Sequence, residues 1–406
     1  MKDSKIKKIK AREILDSRGN PTIEVELETD LGSFLASVPS GTSKGKYEAV
    51  EKEAKIAIKN INEVIAPKLT GKDPVQQKEI DEFLIKLDGT KRKTRLGANA
   101  ILAVSIAVCR AGAKAKNFPL WKWLSKIAGT KPALPRPGIL VLEGGLHSKG
   151  DLSFQEIMVV SKAKSFRENF ENGKKIFSVL GKILKKKYDK SGIQQGMEGA
   201  FTPPIKNTKE ALNIVMEAIE KAGFLGKTEI VIDAAATSFF QRGKYYFDGK
   251  IMDNGELLNF YLEIFRQYPI RAIEDPFAED DGGGWQILSS KFKVQSSKFL
   301  IVGDDLTVTN PERIKIAQKN KFCNGVIIKP NQIGTVSETI KAAKLAKSFG
   351  WKVIVSHRSG ETTDSFISDF AVGVGAEFIK AGAPAKKERM EKYNRLVKIE
   401  EELHKN

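Results

Sequence analysis

The chain has 406 residues, 41% of them hydrophobic, enough for two domains or for one large barrel with an addition. Its 68 Lys and Arg against 50 Asp and Glu give a net charge of +18, which favours polyanions and anionic substrates. No apolar run approaches the roughly 18–20 residues of a bilayer span, and no apolar core follows the basic residues 1–10 as it would in a signal peptide. Only two cysteines occur, Cys109 and Cys323, without metal-like spacing, so a reduced, cytoplasmic setting is expected.

Residues 5–40 alternate as the strands of an antiparallel meander do. Thr22-Ile23-Glu24-Val25-Glu26-Leu27-Glu28 has a strict period of two, and Gly32 turns the chain before Phe34-Leu35-Ala36. Pro39-Ser40-Gly41-Thr42-Ser43-Lys44-Gly45 is a small-residue loop, either a mobile lid or a plain connection. Residues 48–66 and 74–86 predict amphipathic helices, and Gly97-Ala98-Asn99-Ala100 opens an Ala-rich helix over 101–115. Strands first and helices after predict an α+β domain over 1–128. Three prolines within 129–138 mark that stretch as a linker, and a second domain is expected over 139–406. The densest basic cluster, residues 182–190, falls at a predicted helix end. It reads as a solvated face, with nucleic acid the weaker alternative because aromatics are not interleaved.

In the second domain, short β-branched runs end in a polar or charged residue and a helical pattern follows. Residues 229–232 end in Asp233, 270–273 in Glu274 and 299–303 in Asp304. Residues 325–328 end in Lys329, 352–356 in His357-Arg358-Ser359 and 377–379 in Lys380. Continuous apolar runs suit strands buried on both faces, and repeated βα units close into a barrel whose functional groups gather at the strands' C-terminal ends. Either these residues cap a solvated rim or they converge on one site. The alignment of one His, two Lys and several acids favours convergence.

Asp233, Glu274 and Asp304 would stand on adjacent strands. Crowded carboxylates repel unless a cation sits among them, and hard oxygen ligands without thiolates suit Mg²⁺. The alternative is three separate surface acids. Lys329, facing a metal and a second lysine, Lys380, is expected to have a lowered pKa and to serve as a general base. The alternative is a pair of solvated ammonium groups. His357-Arg358-Ser359 offers a forked donor and a hydroxyl for phosphate or carboxylate. His147 lies in the glycine-rich Glu143-Gly144-Gly145-Leu146-His147, where a lone histidine is more often structural than catalytic. Glu156 and Glu198 add two carboxylates, and a glutamate in a crowded acidic site can stay protonated and serve as an acid. A metal, a lysine base and a carboxylic acid together define a reaction class, loss of water from a β-hydroxy carboxylate through an enolate.

Several stretches, in order, resemble the enolase family over nearly the whole chain. They include Asp16-Ser17-Arg18-Gly19-Asn20-Pro21-Thr22, Glu274-Asp275-Pro276-Phe277, Lys329-Pro330-Asn331-Gln332-Ile333-Gly334, Ser356-His357-Arg358-Ser359-Gly360-Glu361-Thr362 and Ile379-Lys380-Ala381-Gly382-Ala383-Pro384. The resemblance implies an α/β fold: a C-terminal ββαα(βα)6 TIM-like barrel, its second strand antiparallel, under an N-terminal α+β capping domain. It implies Mg²⁺-dependent, reversible dehydration of 2-phospho-D-glycerate to phosphoenolpyruvate in glycolysis and gluconeogenesis. Two Mg²⁺ per site are implied, the second arriving with substrate. By resemblance, Asp233, Glu274 and Asp304 are ligands of the first ion, and Ser40 of the second. Lys329 is similar to the base and Glu198, supported by Glu156, to the acid. Lys380 resembles the cation beside the substrate carboxylate, Arg358 and Ser359 the phosphate ligands, and Gln155, His147 and His357 pocket residues. Homodimers, or octamers built from them, are also implied.

The chain departs from the family at several positions. The family's Gly-Asp-Glu-Gly-Gly loop is here Gly196-Met197-Glu198-Gly199-Ala200, so the acidic neighbour of the resembling acid is lost, with the charge that would raise its pKa. Glu143 stands where the family has Asn, Ser238 where it has Glu, and Lys44 enters the small-residue loop. Two other readings compete: another acid-sugar dehydratase of the superfamily, and an inactive or second-function scaffold that binds RNA or protein through its basic surface.

Overall fold

The computed structural model describes residues 4–42, 45–148, 150, 152–295 and 298–404. Ser43 and Lys44 of the small-residue loop therefore lie outside the described residues. The meander forms as the alternation predicts: β1 (Lys8–Leu15), β2 (Pro21–Thr29) and β3 (Gly32–Ser37) pair antiparallel. Ile23, Val25 and Leu27 are fully buried on one face of β2. The helix Ala98–Ala115 packs on β2 and β3. It is long and apolar enough to cross a membrane by length and composition, yet 83% of it is buried, as befits the core helix of this domain.

The helix expected over 48–66 begins later, at Ala54–Lys59, and continues through a wider turn at Asn60–Ile65 to Ala66–Leu69. Residues 48–53 are held by partners far along the chain instead. Ala49 N–H donates to Gln332 O (2.9 Å) and Val50 N–H to Arg92 O (2.7 Å), so their backbone groups are satisfied without helix.

The barrel begins with β4 (Arg136–Glu143), inside the proline-bearing stretch 129–138, and β5 (Glu156–Ser161). Pro137 is tolerated there because it falls at the start of its strand. Two helices follow, Phe166–Gly192 and Thr208–Lys221, each with a side-chain N-cap from Ser165 or Asn207. Then come β6 (Thr228–Asp233) and a three-stranded excursion of β7 (Phe240–Gln241), β8 (Lys244–Phe247) and β9 (Lys250–Met252). The remaining barrel strands are β10 (Ile270–Glu274), β11 (Leu300–Gly303), β12 (Gly325–Ile328), β13 (Lys352–Ser356) and β14 (Phe378–Lys380), with helices between them.

The barrel is closed in the order β4-β5-β6-β10-β11-β12-β13-β14, with β5 antiparallel to both neighbours and every other pairing parallel. This is the ββαα(βα)6 order, and it corrects the plain βα reading at the barrel's start. Val160, Ala272, Leu300, Val302, Ile327, Ile354 and Phe378 fill the interior below the mouth. Above them, one register row runs Glu143↔Glu156↔Asp233↔Glu274 across four adjacent strands. Strand pairing alone thus delivers four carboxylates to the rim.

Candidate active site

Four acids in one row cannot all stay charged and buried without cations. Lys380, at the end of β14, supplies one. Its Nζ lies 2.8 Å from Asp233 Oδ2, 3.1 Å from Glu274 Oε2 and 3.1 Å from Glu156 Oε2, with the side chain only 5% exposed. Burial lowers its pKa, but the carboxylates outweigh burial and hold it well above the ordinary lysine range. Lys329, at the end of β12, ion-pairs with Asp304, whose other oxygen accepts from Gln332 Nε2 (2.9 Å). The expectation of a lowered Lys329 pKa is therefore corrected. Burial does push it down, but Asp304 pushes it up further, and the group stays an ammonium among these protein groups.

A cavity of about 150 Å³ opens at the same rim. Lys329, Lys380, Asp233 and Asp304 line it together with Glu156, Glu198, His147 and Gln155. His357, Arg358 and Ser359 also line it. Glu274 does not line this cavity; it lies beneath, at the top of the barrel interior. Ser40 does not line it either: its hydroxyl donates to Glu51 Oε2 (2.9 Å), and its backbone bridges to Gly360.

Glu198 stands between two histidines. His357 Nε2 is 2.9 Å from its Oε2, and His147 Nδ1 is 3.6 Å from its Oε1. The Arg389 guanidinium contacts His357 Nδ1, so that nitrogen accepts and the ring proton sits on Nε2, the nitrogen beside Glu198. Burial raises the Glu198 pKa, but His357 and then His147 pull it below the ordinary range, contrary to the protonated acid expected from sequence. Glu156, wholly buried, is pushed well above the ordinary range despite Lys380. The proton of this acidic half therefore rests on the neighbours of Glu198.

Arg358 and Ser359 face the small-residue loop. Arg358 Nη1 donates to Glu48 Oε2 (3.0 Å) and Asn331 Oδ1 (3.0 Å), and Ser359 Oγ accepts from Thr42 N–H (2.9 Å). Three groups here escape sequence reasoning. Glu48 reaches the barrel across 310 positions. Arg389, in the last helix (Lys387–His404), donates to the carbonyls of Arg358 and Ser359, both at 2.7 Å. Asp275 accepts from the N–H groups of Asp304 (3.0 Å) and Asp305 (2.7 Å) and so orients the end of β11. Its motif Glu274-Asp275-Pro276 was the one available signal.

Among the described residues, oxygens of Asp275, Asp304 and Asp305 lie within 4.8 Å of one another, as do ligand atoms of His147, Glu156 and Glu198. Asp233, Glu274 and Asp304 do not form so tight a group, because Lys380 holds the first two and Lys329 the third. Their donor set is nonetheless all carboxylate oxygen and already gathers cations, which fits a hard divalent ion.

Two family models cover most of the chain. The one described as the enolase N-terminal domain matches residues 6–124, and the one described as the enolase C-terminal TIM barrel domain matches residues 131–406. A curated relative named Enolase 1, from Entamoeba histolytica, is 45% identical over 98% of this chain and 96% of its own length.

Proposed function

The chain belongs to the enolase family and is a lyase of the phosphopyruvate hydratase kind; we propose that Lys329 and Glu198 carry the proton transfers of its reaction. The reaction is the reversible dehydration of 2-phospho-D-glycerate to phosphoenolpyruvate. Lys329 takes the proton from C2 once its pairing with Asp304 is relaxed. Glu198 passes to the departing 3-hydroxyl a proton that it takes from its protonated neighbour Glu156, with His357 beside its carboxyl. Lys380 faces the substrate carboxylate, and Arg358 and Ser359 face the phosphate. Gln155 and His147 shape the remaining wall. Mg²⁺, two per site with the second arriving with substrate, would be held by Asp233, Glu274 and Asp304 and by Ser40, and supplies positive charge against the developing enolate dianion.

One observation carries this reading: Lys329, Glu198 and the acids Asp233 and Asp304 line a single cavity. A base and an acid in one cavity suit removal of a proton and a hydroxyl from adjacent carbons. The paired donors Arg358 and Ser359 favour a phosphorylated substrate over an acid sugar. We further propose two domains, divided near 129–138, a cytoplasmic setting and a homo-oligomer. Buried, unpaired Cys109 and Cys323 support the reduced setting.

The test is the absorbance of phosphoenolpyruvate after mixing the protein with 2-phosphoglycerate. A rise that requires Mg²⁺ and stops on chelation is expected. A folded, Mg²⁺-loaded protein that produces no rise would overturn the reading and leave the basic surface as the main lead.

A further inference from the structure

Glu143 ends β4 in the acidic register row, yet Lys380 does not reach it. Its side chain turns instead to the loop that carries Glu198. Oε1 and Oε2 accept the Glu198 N–H at 3.1 and 3.0 Å, and Oε1 accepts the Ala200 N–H at 2.7 Å. The residue is 1% exposed. The loop closes tightly around it: a Cβ at Gly196 would lie 2.4 Å from Glu143 Oε2, so only glycine fits there. Glu143 N–H donates to Phe201 O (2.9 Å), tying the same loop to β4. On the loop's other side Lys386 Nζ donates to the carbonyls of Gly196 and Met197, both at 3.1 Å. Donors and acceptors of this loop are therefore held from two sides, with one buried carboxylate taking the N–H groups.

We propose that Glu143 is a positioning residue for the acid: its carboxyl clamps the backbone at Glu198 and Ala200, holding the Glu198 carboxyl beside His357, and stands as a second acid beside it. The inference rests on the enolase reading. It also revises the sequence expectation that the change to Met197 leaves Glu198 without an acidic neighbour, because Glu143 reaches the same backbone from β4. Met197 itself turns towards Thr42 Oγ1, 3.3 Å from its sulfur. The groups that bear on Glu143 are Glu198, whose charge opposes its ionisation, Arg389, which favours it, and its strand partner Glu156. Burial first, and then Glu198, push Glu143 up to about 8 against the pull of the two N–H groups. Two buried carboxyls joined through one loop resist carrying two charges at once.

The test compares wild type with Glu143→Gln and Glu143→Asp. An amide oxygen at the Oε1 position can still accept from both N–H groups, so Glu143→Gln removes the titratable proton while keeping the fold. Three quantities are read: steady-state turnover, exchange of the C2 proton of 2-phosphoglycerate, and the pH profile. The expectation for Glu143→Gln is a kcat at least tenfold lower, KM within twofold, and C2 exchange retained, because that exchange belongs to Lys329. The alkaline limb of kcat changes, because the acid that ionises at about 8 beside Glu198 is gone. Glu143→Asp keeps a titratable carboxyl but withdraws it by one methylene; it should lose kcat with the limb in place, and it carries the test if Glu143→Gln does not fold. A folded variant with unchanged kcat and pH profile overturns the proposal. So does loss of C2 exchange together with turnover, which would mean general damage to the site. An inactive wild type would overturn the enolase reading and the proposal with it, whereas an active wild type with an indifferent variant overturns the proposal alone.

Discussion

His357 shows how burial sets the state of a single side chain. Burial holds its pKa down at about 4, helped by Arg389 and opposed by Glu198. The ring is neutral in the folded chain, and in the unfolded chain it titrates at its ordinary value near 6.5. Between those values the unfolded state binds a proton that the folded state does not. Stability therefore rises with pH across this window and is lost as pH falls through it. The separation corresponds to roughly 3 kcal/mol at most. Unfolding free energy measured by denaturant from about pH 4 to about pH 7 should show this slope in wild type and a shallower one in His357→Gln. Equal slopes would mean that the ring is not held neutral. From the sequence, His357 was legible as the end of a strand. Its neutral state was not, because Arg389 and Glu198 come from a helix and a loop far along the chain.

Strands and loops differ in how much the sequence reveals of them. The barrel strands after β5 are continuous apolar runs, so their ends, and the residues Asp233, Glu274, Asp304, Lys329 and Lys380, could be read directly. The reversal of β5 between β4 and β6 was implied by the family resemblance alone, because a reversed strand has the same hydrophobic pattern as a parallel one. Contacts between loops were least legible, since no periodicity records them. The approach of the small-residue loop to β13 is the clearest case. A Cβ at Gly41 would lie 1.9 Å from Arg358 Nη2, and that guanidinium is pinned by Glu48 and Asn331. Gly41→Ala must displace either the loop or the arginine. With Arg358 as a phosphate ligand, KM for 2-phosphoglycerate should rise roughly tenfold, about 1.4 kcal/mol of lost binding. Steady-state kinetics decides: an unchanged KM would remove Arg358 from the phosphate side or show that the loop yields freely.

At the scale of the whole molecule, the charge is arranged in two layers. The rim of the barrel gathers buried acids, balanced by Lys329 and Lys380. The excess of +18 lies elsewhere, on residues such as Lys182, Lys185 and Lys186 that are exposed on the outer helix Phe166–Gly192. Exposed ion pairs such as Lys187 with Glu210 (2.7 Å) contribute on the order of 0–1 kcal/mol each, so this layer adds little to stability. Its consequence is a long-range field that draws anions toward the surface, screened over about 10 Å at 0.1 M salt. A phosphorylated carboxylate entering the cavity would feel that field during approach and lose it in concentrated salt. The value of kcat/KM for 2-phosphoglycerate should therefore fall several-fold between about 0.05 and about 0.5 M NaCl. The unfolding midpoint should stay nearly constant over the same range, because surface pairs contribute so little. A salt-independent kcat/KM would mean that the chemical step, not encounter, limits it. The basic surface would then have no part in substrate capture, and a polyanion partner would be its remaining use.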